Sequence, residues 1–506
     1  MKRFVFFLSI LLLVGMIAVG QLIAQDEPQS GGTLIAGWEA EWATLDPHLG
    51  TAASSFYVIS NVAESLTTFD DDIKLAPALA TSWEQSDDGL TWTFHLREGV
   101  KFTNGTDFTA EDVLWSFNRI LDPELGSGWK EKVGGEDAVF EVVDDYTFTI
   151  TTTTPNGILP SSLSAGSTSI LAQESIDENG QIVIPIGTGP FFIDEIEGTT
   201  RMLLTKNPDY WAEGLPYLDA VDIHVIPEDI PREAALLGGE IDWNMEVPSQ
   251  SYDAMKENPD VVLGETPLLN YQYMALNFNT GPFADKRVRQ AVSYAIDREQ
   301  ICAAAEFGLC SVIQGPTGPG SPWYFDYAPY EQDIDKAKEL LAEAGYPDGF
   351  SIRIMPTVTY DFTMRSAQVV QQQLAAVGID MEIVAPEWAQ WLELRNKGDW
   401  DIFVCGWTGL TDADDYYYLQ QRTDQIFNRT GYTNPEFDVL VDEARAIGDF
   451  DTRYQLYEQA NQILVDDAPY VYFYSPLGLR AWAPDVQGYV LRPDLDSRFT
   501  KVWLDR

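Results

Sequence analysis

Between Ile334 and Cys405 the chain alternates helix and strand patterns, which narrows the available folds more than any other feature. Ile334–Ala344 has helical spacing and stops at Gly345-Tyr346-Pro347, a helix-ending combination. Ser351–Thr357 then reads as strand, Thr363–Val377 as helix, Ile379–Val384 as strand, Glu387–Lys397 as helix and Asp401–Cys405 as strand. Strands joined through helices predict a parallel sheet with right-handed crossovers. Open sheets of this kind bind ligands beyond the carboxyl ends of their strands. The residues past the last strand, Gly406 to Tyr416, are therefore where topology alone places a site.

The stretch Trp83–Phe117 carries a different pattern. Asp87-Asp88-Gly89 is a turn, because Gly tolerates positive φ and Asp bonds its own backbone. In the run Thr91–Arg97, Trp92, Phe94 and Leu96 share one side and Thr93, His95 and Arg97 the other, the alternation of a half-buried strand. Asn104-Gly105 makes a second turn. Thr109 with Asp112 three residues on reads as an acidic capping box, opening a helix that carries Val113, Leu114 and Phe117 on one face.

Charge and composition exclude several functions. A chain of 506 residues is long enough for two or three domains with sizeable cores. Its net charge of −48 leaves no basic footprint, so nucleic acid is excluded as a partner. Lys2-Arg3 precede an apolar run from Phe4 to Ile23, which predicts a signal peptide over residues 1–25. The run is also long enough to span a bilayer, so an uncleaved anchor is the alternative. Export creates an oxidising setting in which Cys302 and Cys310 are expected to pair, two free thiols being the alternative, while Cys405 reads as a buried thiol. Enzyme signatures are missing: three His residues make no H-E-x-x-H, and neither C-x-x-C nor G-x-S-x-G occurs. No metal and no cofactor are implied.

Several motifs together carry a resemblance. Trp83, Asp88-Gly89, Thr91, Thr93-Phe94, Leu96-Arg97, Gly99-Val100-Lys101-Phe102, Asn104-Gly105 and Thr109–Val113 stand in fixed order. They are accompanied by Leu45-Asp46-Pro47-His48, Gly187–Phe191, Asn207–Trp211, Gly214–Asp219 and the segment Pro282–Ile301. This set resembles solute-binding protein family 5, the dipeptide-, oligopeptide- and nickel-binding components of ABC importers, from Gly31 to the C-terminus.

The resemblance implies an α/β, two-lobed periplasmic-binding-protein-like fold of type II with an extra inserted subdomain, its lobes hinged around a ligand cleft. It implies the divisions 31–66 and 188–278 for the first lobe, 67–187 for the insert, 279–477 for the second lobe and 478–506 as a return to the first. By the same resemblance the ligand contacts are Trp407, Thr408, Asp412, Trp388, Arg395, Ser54 and Ser55. In oligopeptide binders a G-W-x-x-D segment holds the peptide's ammonium; here Leu410 stands at the Asp position, and Asp412 is the expected substitute. The expected protein is an exported monomer, periplasmic or at the cell surface. It binds peptides by hinge closure and hands them to the permease subunits, with an oligosaccharide as the alternative ligand. A secreted acidic hydrolase working through a carboxylate pair is the alternative of a different class.

Overall fold

One strand runs through both halves of the molecule. In the computed structural model, which describes residues 27–407, 411–425 and 427–506, Tyr470–Trp482 is 13 residues long. Its first part pairs antiparallel with Tyr271–Leu276, and its last part pairs with Val262–Pro267 and Trp243–Asn244. On the first side Thr33–Trp38 runs parallel to Trp243–Asn244 and to Ala220–Val225. Arg201–Lys206 and Phe191–Glu197 then complete that lobe's sheet. On the other side Ile402–Trp407 joins Tyr271–Leu276, followed by Phe350–Met355 and Ile379–Ile383. These last three strands are parallel to one another, as the helix–strand alternation requires. Helices Asp361–Ala375 and Trp388–Lys397 make the crossovers.

The division between lobes falls where the chain crosses the shared strand. Pro267 still pairs in the first lobe and Tyr271 already pairs with Trp407 in the second. The expected boundary at 278/279 therefore lies too late, because Tyr271–Leu276 obeys its hydrogen-bonding partners rather than its position in sequence. The two crossings hold each other. Leu268 N donates to Pro476 O at 3.0 Å, and Ser475 Oγ donates to Leu268 O at 2.6 Å. Gly320 lies against this crossing, where a Cβ would stand 2.2 Å from Pro267 O, so no larger residue fits.

The insert has its own core. Ala80–Gln85, Thr91–Leu96, Thr147–Thr151 and Val139–Asp144 form a four-stranded antiparallel sheet. Trp92, Phe94 and Leu96 face inward, following the alternation read from sequence. The helix Ala110–Leu121 covers them with Val113, Phe117 and Ile120. Its capping box closes as expected, with Thr109 N donating to Asp112 Oδ2 at 2.8 Å. The second lobe's sheet is covered on one face by helices such as Lys286–Ala295, which buries Val288, Ala291, Val292 and Ala295. Its other face is aromatic, with Tyr271, Tyr273, Phe403, Tyr470 and Tyr472 in one cluster. Among the described residues no helix is long and apolar enough to cross a membrane; the segment 1–25 lies outside them.

Cys302 and Cys310 are joined, with their Cα atoms 6.3 Å apart, tying helix Arg298–Glu306 to the strand Cys310–Val312. Closing a loop this short restricts the unfolded chain by about 2–3 kcal/mol. The double variant Cys302→Ser/Cys310→Ser is expected to lose about that much stability in urea unfolding. Equal midpoints with and without the bridge would show that it contributes nothing.

Candidate functional site

The parallel strands of the second lobe deliver three ends to one edge: Met355, Ile383 and Trp407. Tyr271 opens the antiparallel neighbour at the same edge. Trp388 begins the helix that follows Ile379–Ile383. Its ring stacks on buried Trp391 at 4.8 Å and meets the edge of Tyr360 at 5.1 Å. Trp391 is itself fixed by its Nε1 donating to Met355 O at 3.0 Å. Trp388 is thus a half-buried aromatic platform on a rigid base. Trp407 packs edge-on against Phe427 at 5.1 Å, and its Nε1 is buried without a hydrogen-bond partner among the described residues. Across the ladder Gln272 pairs with Gly406, and its Oε1 is likewise unpartnered.

Two cations stand beside this edge. Arg395, in the last turn of its helix, lies 5.4 Å over the Trp391 ring and bonds Asn396 Oδ1 at 3.2 Å. Arg429 has a buried Nε without a partner. Burial lowers its pKa, and the neighbouring Arg395 charge lowers it further. Among the described residues neither guanidinium has a carboxylate in ion-pair range. In a chain with net charge −48, two adjacent arginines without a carboxylate partner among the described residues are a local concentration of positive charge. The first lobe offers the opposite sign. Glu39 and Glu246 follow its strands Thr33–Trp38 and Trp243–Asn244, and their shared hydrogen bond is the main reason Glu246 is pushed up to about 8.

The remaining residues expected from sequence sit elsewhere. Ser55 is fully buried, and its Oγ accepts from Ala43 N at 3.1 Å and Thr44 N at 3.2 Å. Ser54 Oγ donates to Glu41 O at 2.9 Å. Both lie in the first turn of helix Ala53–Val62 and brace the loop before it. Thr408 lies outside the described residues. Asp412 is buried, and Arg453 grips it with a fork: Nη1 to Oδ2 at 3.0 Å and Nη2 to Oδ1 at 2.5 Å. Burial acts to raise its pKa, but the Arg453 charge, the hydrogen bonds from Arg453 and that from Asp414 N together hold the carboxyl below the usual range. Both oxygens are occupied, so the expected role of amine ligand does not fit its geometry. Arg429, Gln272 and Tyr360 were not singled out in the sequence, since no periodicity or motif marks them.

The aspartates of this loop differ sharply. Asp414 bonds Arg445 at 2.7 Å, yet burial pushes it up to about 7, with Arg445 opposing and Asp412 and Asp415 adding.

Two α/β lobes joined through a shared strand, with an aromatic and cationic edge, define a binding protein of the two-lobed class. The comparisons specify it further. The model for bacterial extracellular solute-binding proteins, family 5 (Middle), matches residues 74–428, and the chain belongs to that family. The glutathione-binding protein GsiB of Escherichia coli (strain K12) is 29% identical over 472 residues, covering 91% of this chain and 92% of the relative. The periplasmic binding protein DppA of Helicobacter pylori, solved with the peptide STSA, is 31% identical with a TM-score of 0.75, covering 94% of this chain and 99% of that one. HbpA2 of Haemophilus parasuis superposes with a TM-score of 0.88 at 28% identity, covering 94% and 100%.

Two stability measurements follow from the loop. Asp412→Ala leaves Arg453 buried without its anion and is expected to cost about 3–5 kcal/mol; a cost near zero in chemical unfolding would contradict a required pair. A carboxyl that binds its proton more tightly when folded contributes stability at low pH and loses it as pH rises. The stability of wild type relative to Asp414→Asn is therefore expected to fall between about pH 4 and pH 7 and level off above. A rising difference across that window would refute the assignment.

Proposed function

We propose that this protein is the peptide-binding subunit of an ABC importer, and that it binds its cargo without turning it over. The observation that carries the reading is the unpaired Arg395–Arg429 couple beside the Trp388 and Trp407 rings. A short peptide supplies what this edge lacks. Its terminal carboxylate suits two guanidiniums, and its main-chain donors and acceptors suit the unpartnered Gln272 Oε1 and Trp407 Nε1. The Glu39–Glu246 pair in the other lobe suits an ammonium group. The glutathione- and peptide-binding relatives support the same ligand class.

The mechanism follows from the shared strand. Two crossings are few enough to bend, so the lobes close when a ligand contacts both and thereby favours the closed arrangement. The closed form is what the permease subunits read. The apolar N-terminal segment directs export.

Thermal unfolding with peptide and oligosaccharide pools tests this reading. A ligand at 100 times its Kd adds about 2.7 kcal/mol of stability. The expected result is a shift with peptides that Trp407→Ala and Arg429→Ala both abolish, with the peptides recovered intact by mass spectrometry. A shift confined to oligosaccharides would overturn the ligand assignment, and cleaved peptides would overturn binding without turnover.

A further inference from the structure

Helix Pro435–Ala446 of the second lobe ends against the insert. A helix end leaves its last carbonyls without partners inside the helix, and a left-handed glycine from the same chain commonly answers them. Here the cap is Ile447, which is extended, with φ −102° and ψ 134°. The carbonyls are answered from further away. Ala444 O accepts from Arg453 Nε at 3.1 Å within the lobe. Arg445 O accepts from Gly157 N at 2.8 Å and Ala446 O from Gln85 Nε2 at 3.3 Å, and both of these donors belong to the insert. Gln85 Oε1 accepts in turn from Gly448 N at 3.2 Å. The insert presents its donors from a firm base. Gln85 ends the strand Ala80–Gln85, and its Nε2 also donates to Gly89 O at 3.0 Å. The peptide unit that carries Gly157 N is held on its other side by buried Trp92, whose Nε1 donates to Asn156 O at 2.7 Å. Two glycines let the surfaces meet: a Cβ on Gly157 would stand 2.0 Å from Ile447 O, and one on Gly448 would stand 2.5 Å from the Trp92 ring.

We propose that this seam is a latch for the closed form, in which Gln85 and Gly157 of the insert cap the second lobe's helix and so set how long a ligand is held. The proposal rests on the hinge-closure reading above. The insert is fastened to the first lobe, where Arg119 grips Asp46 at 2.6 Å and Ile170 N donates to Glu64 O at 2.8 Å. Its donors therefore reach the helix end when the lobes come together and leave it when they part, with water then serving the same carbonyls. An interaction present in the closed form alone favours that form, and any ligand that requires closure is bound more tightly for it. Neither Gln85 nor Gly157 belongs to the aromatic edge of the site, and the bonds they make across the seam end on backbone groups. The latch thus strengthens the binding of every cargo alike and contributes nothing to the choice among them.

Stopped-flow binding and small-angle scattering test this on the purified protein. The probe is the member of the tripeptide series Ala-X-Ala that gives the largest thermal shift with wild type. Gly157→Ala wedges the seam, since the nearest atoms its methyl meets all belong to Ile447. Its ligand-free melting temperature is expected to match wild type. Its dissociation rate is expected to rise at least tenfold, with the association rate within about twofold. Gln85→Ala removes two bonds across the seam and is expected to raise the dissociation rate about tenfold. With probe, the radius of gyration is expected to contract in wild type and to contract less in Gly157→Ala. Unchanged dissociation in both variants overturns the latch and leaves hinge closure standing. A ligand-free melting temperature that falls in both shows a seam made without ligand and likewise overturns the latch. A wild type that binds the probe without contracting overturns closure and latch together, and failure of the whole series to bind overturns the peptide reading and the latch with it.

Discussion

The ladder along Tyr470–Trp482 is the constraint on which the rest of the structure depends. A strand cannot shift by one residue without turning its side chains to the opposite face, so a strand shared by two sheets fixes both at once. Buried arginines anchor it from either side. Arg298 Nε donates to Tyr472 O at 2.8 Å in the second lobe, and Arg480 in the first reaches Met245 O at 2.9 Å and Leu495 O at 2.6 Å. Between these anchors, at Ser475 to Leu477, the strand changes partners. There its partner changes from Tyr271–Leu276 to Val262–Pro267 while Cys310–Val312 pairs along it, and Gly320 lets the crossings pack without a side chain between them.

Charge is handled in two contrasting ways. Several charges buried for structure are answered by a partner. Arg119 grips Asp46 at 2.6 Å and contacts His48, whose pKa burial lowers to about 4, and Arg453 grips Asp412. Glu64, buried completely, is met by Trp211, Thr188 and Tyr210. Leaving such groups unanswered costs several kcal/mol each, roughly. At the edge of the second lobe Arg429 Nε, Trp407 Nε1 and Gln272 Oε1 are buried with no hydrogen-bond partner among the described residues.

Local signals were the legible ones. The Thr91–Leu96 strand, the Thr109–Asp112 cap and the helices and strands between Ile334 and Trp407 depend on residues within one or two turns of each other. Their periods and caps are therefore written in order along the chain. The lobe boundary was misplaced for the opposite reason, since Tyr271–Leu276 is assigned by partners more than a hundred residues away. The groups that hold Ser55 and Asp412, the backbone at Ala43 and Thr44 and the Arg453 fork, are not visible from their own neighbourhood in the sequence.

The sequence by itself determined the elements and the parallel crossover order, because those follow from hydrophobic period, turn chemistry and handedness. It also carried the motifs that mark the family. Which charges on that edge are free was decided only by the tertiary structure. Of the arginines and aspartates near Trp407, folding closes Asp412 on Arg453 and Asp414 on Arg445, and leaves Arg395 beside Arg429. Pairing depends on distances of a few ångströms between distant segments, and those distances exist only once the chain is packed.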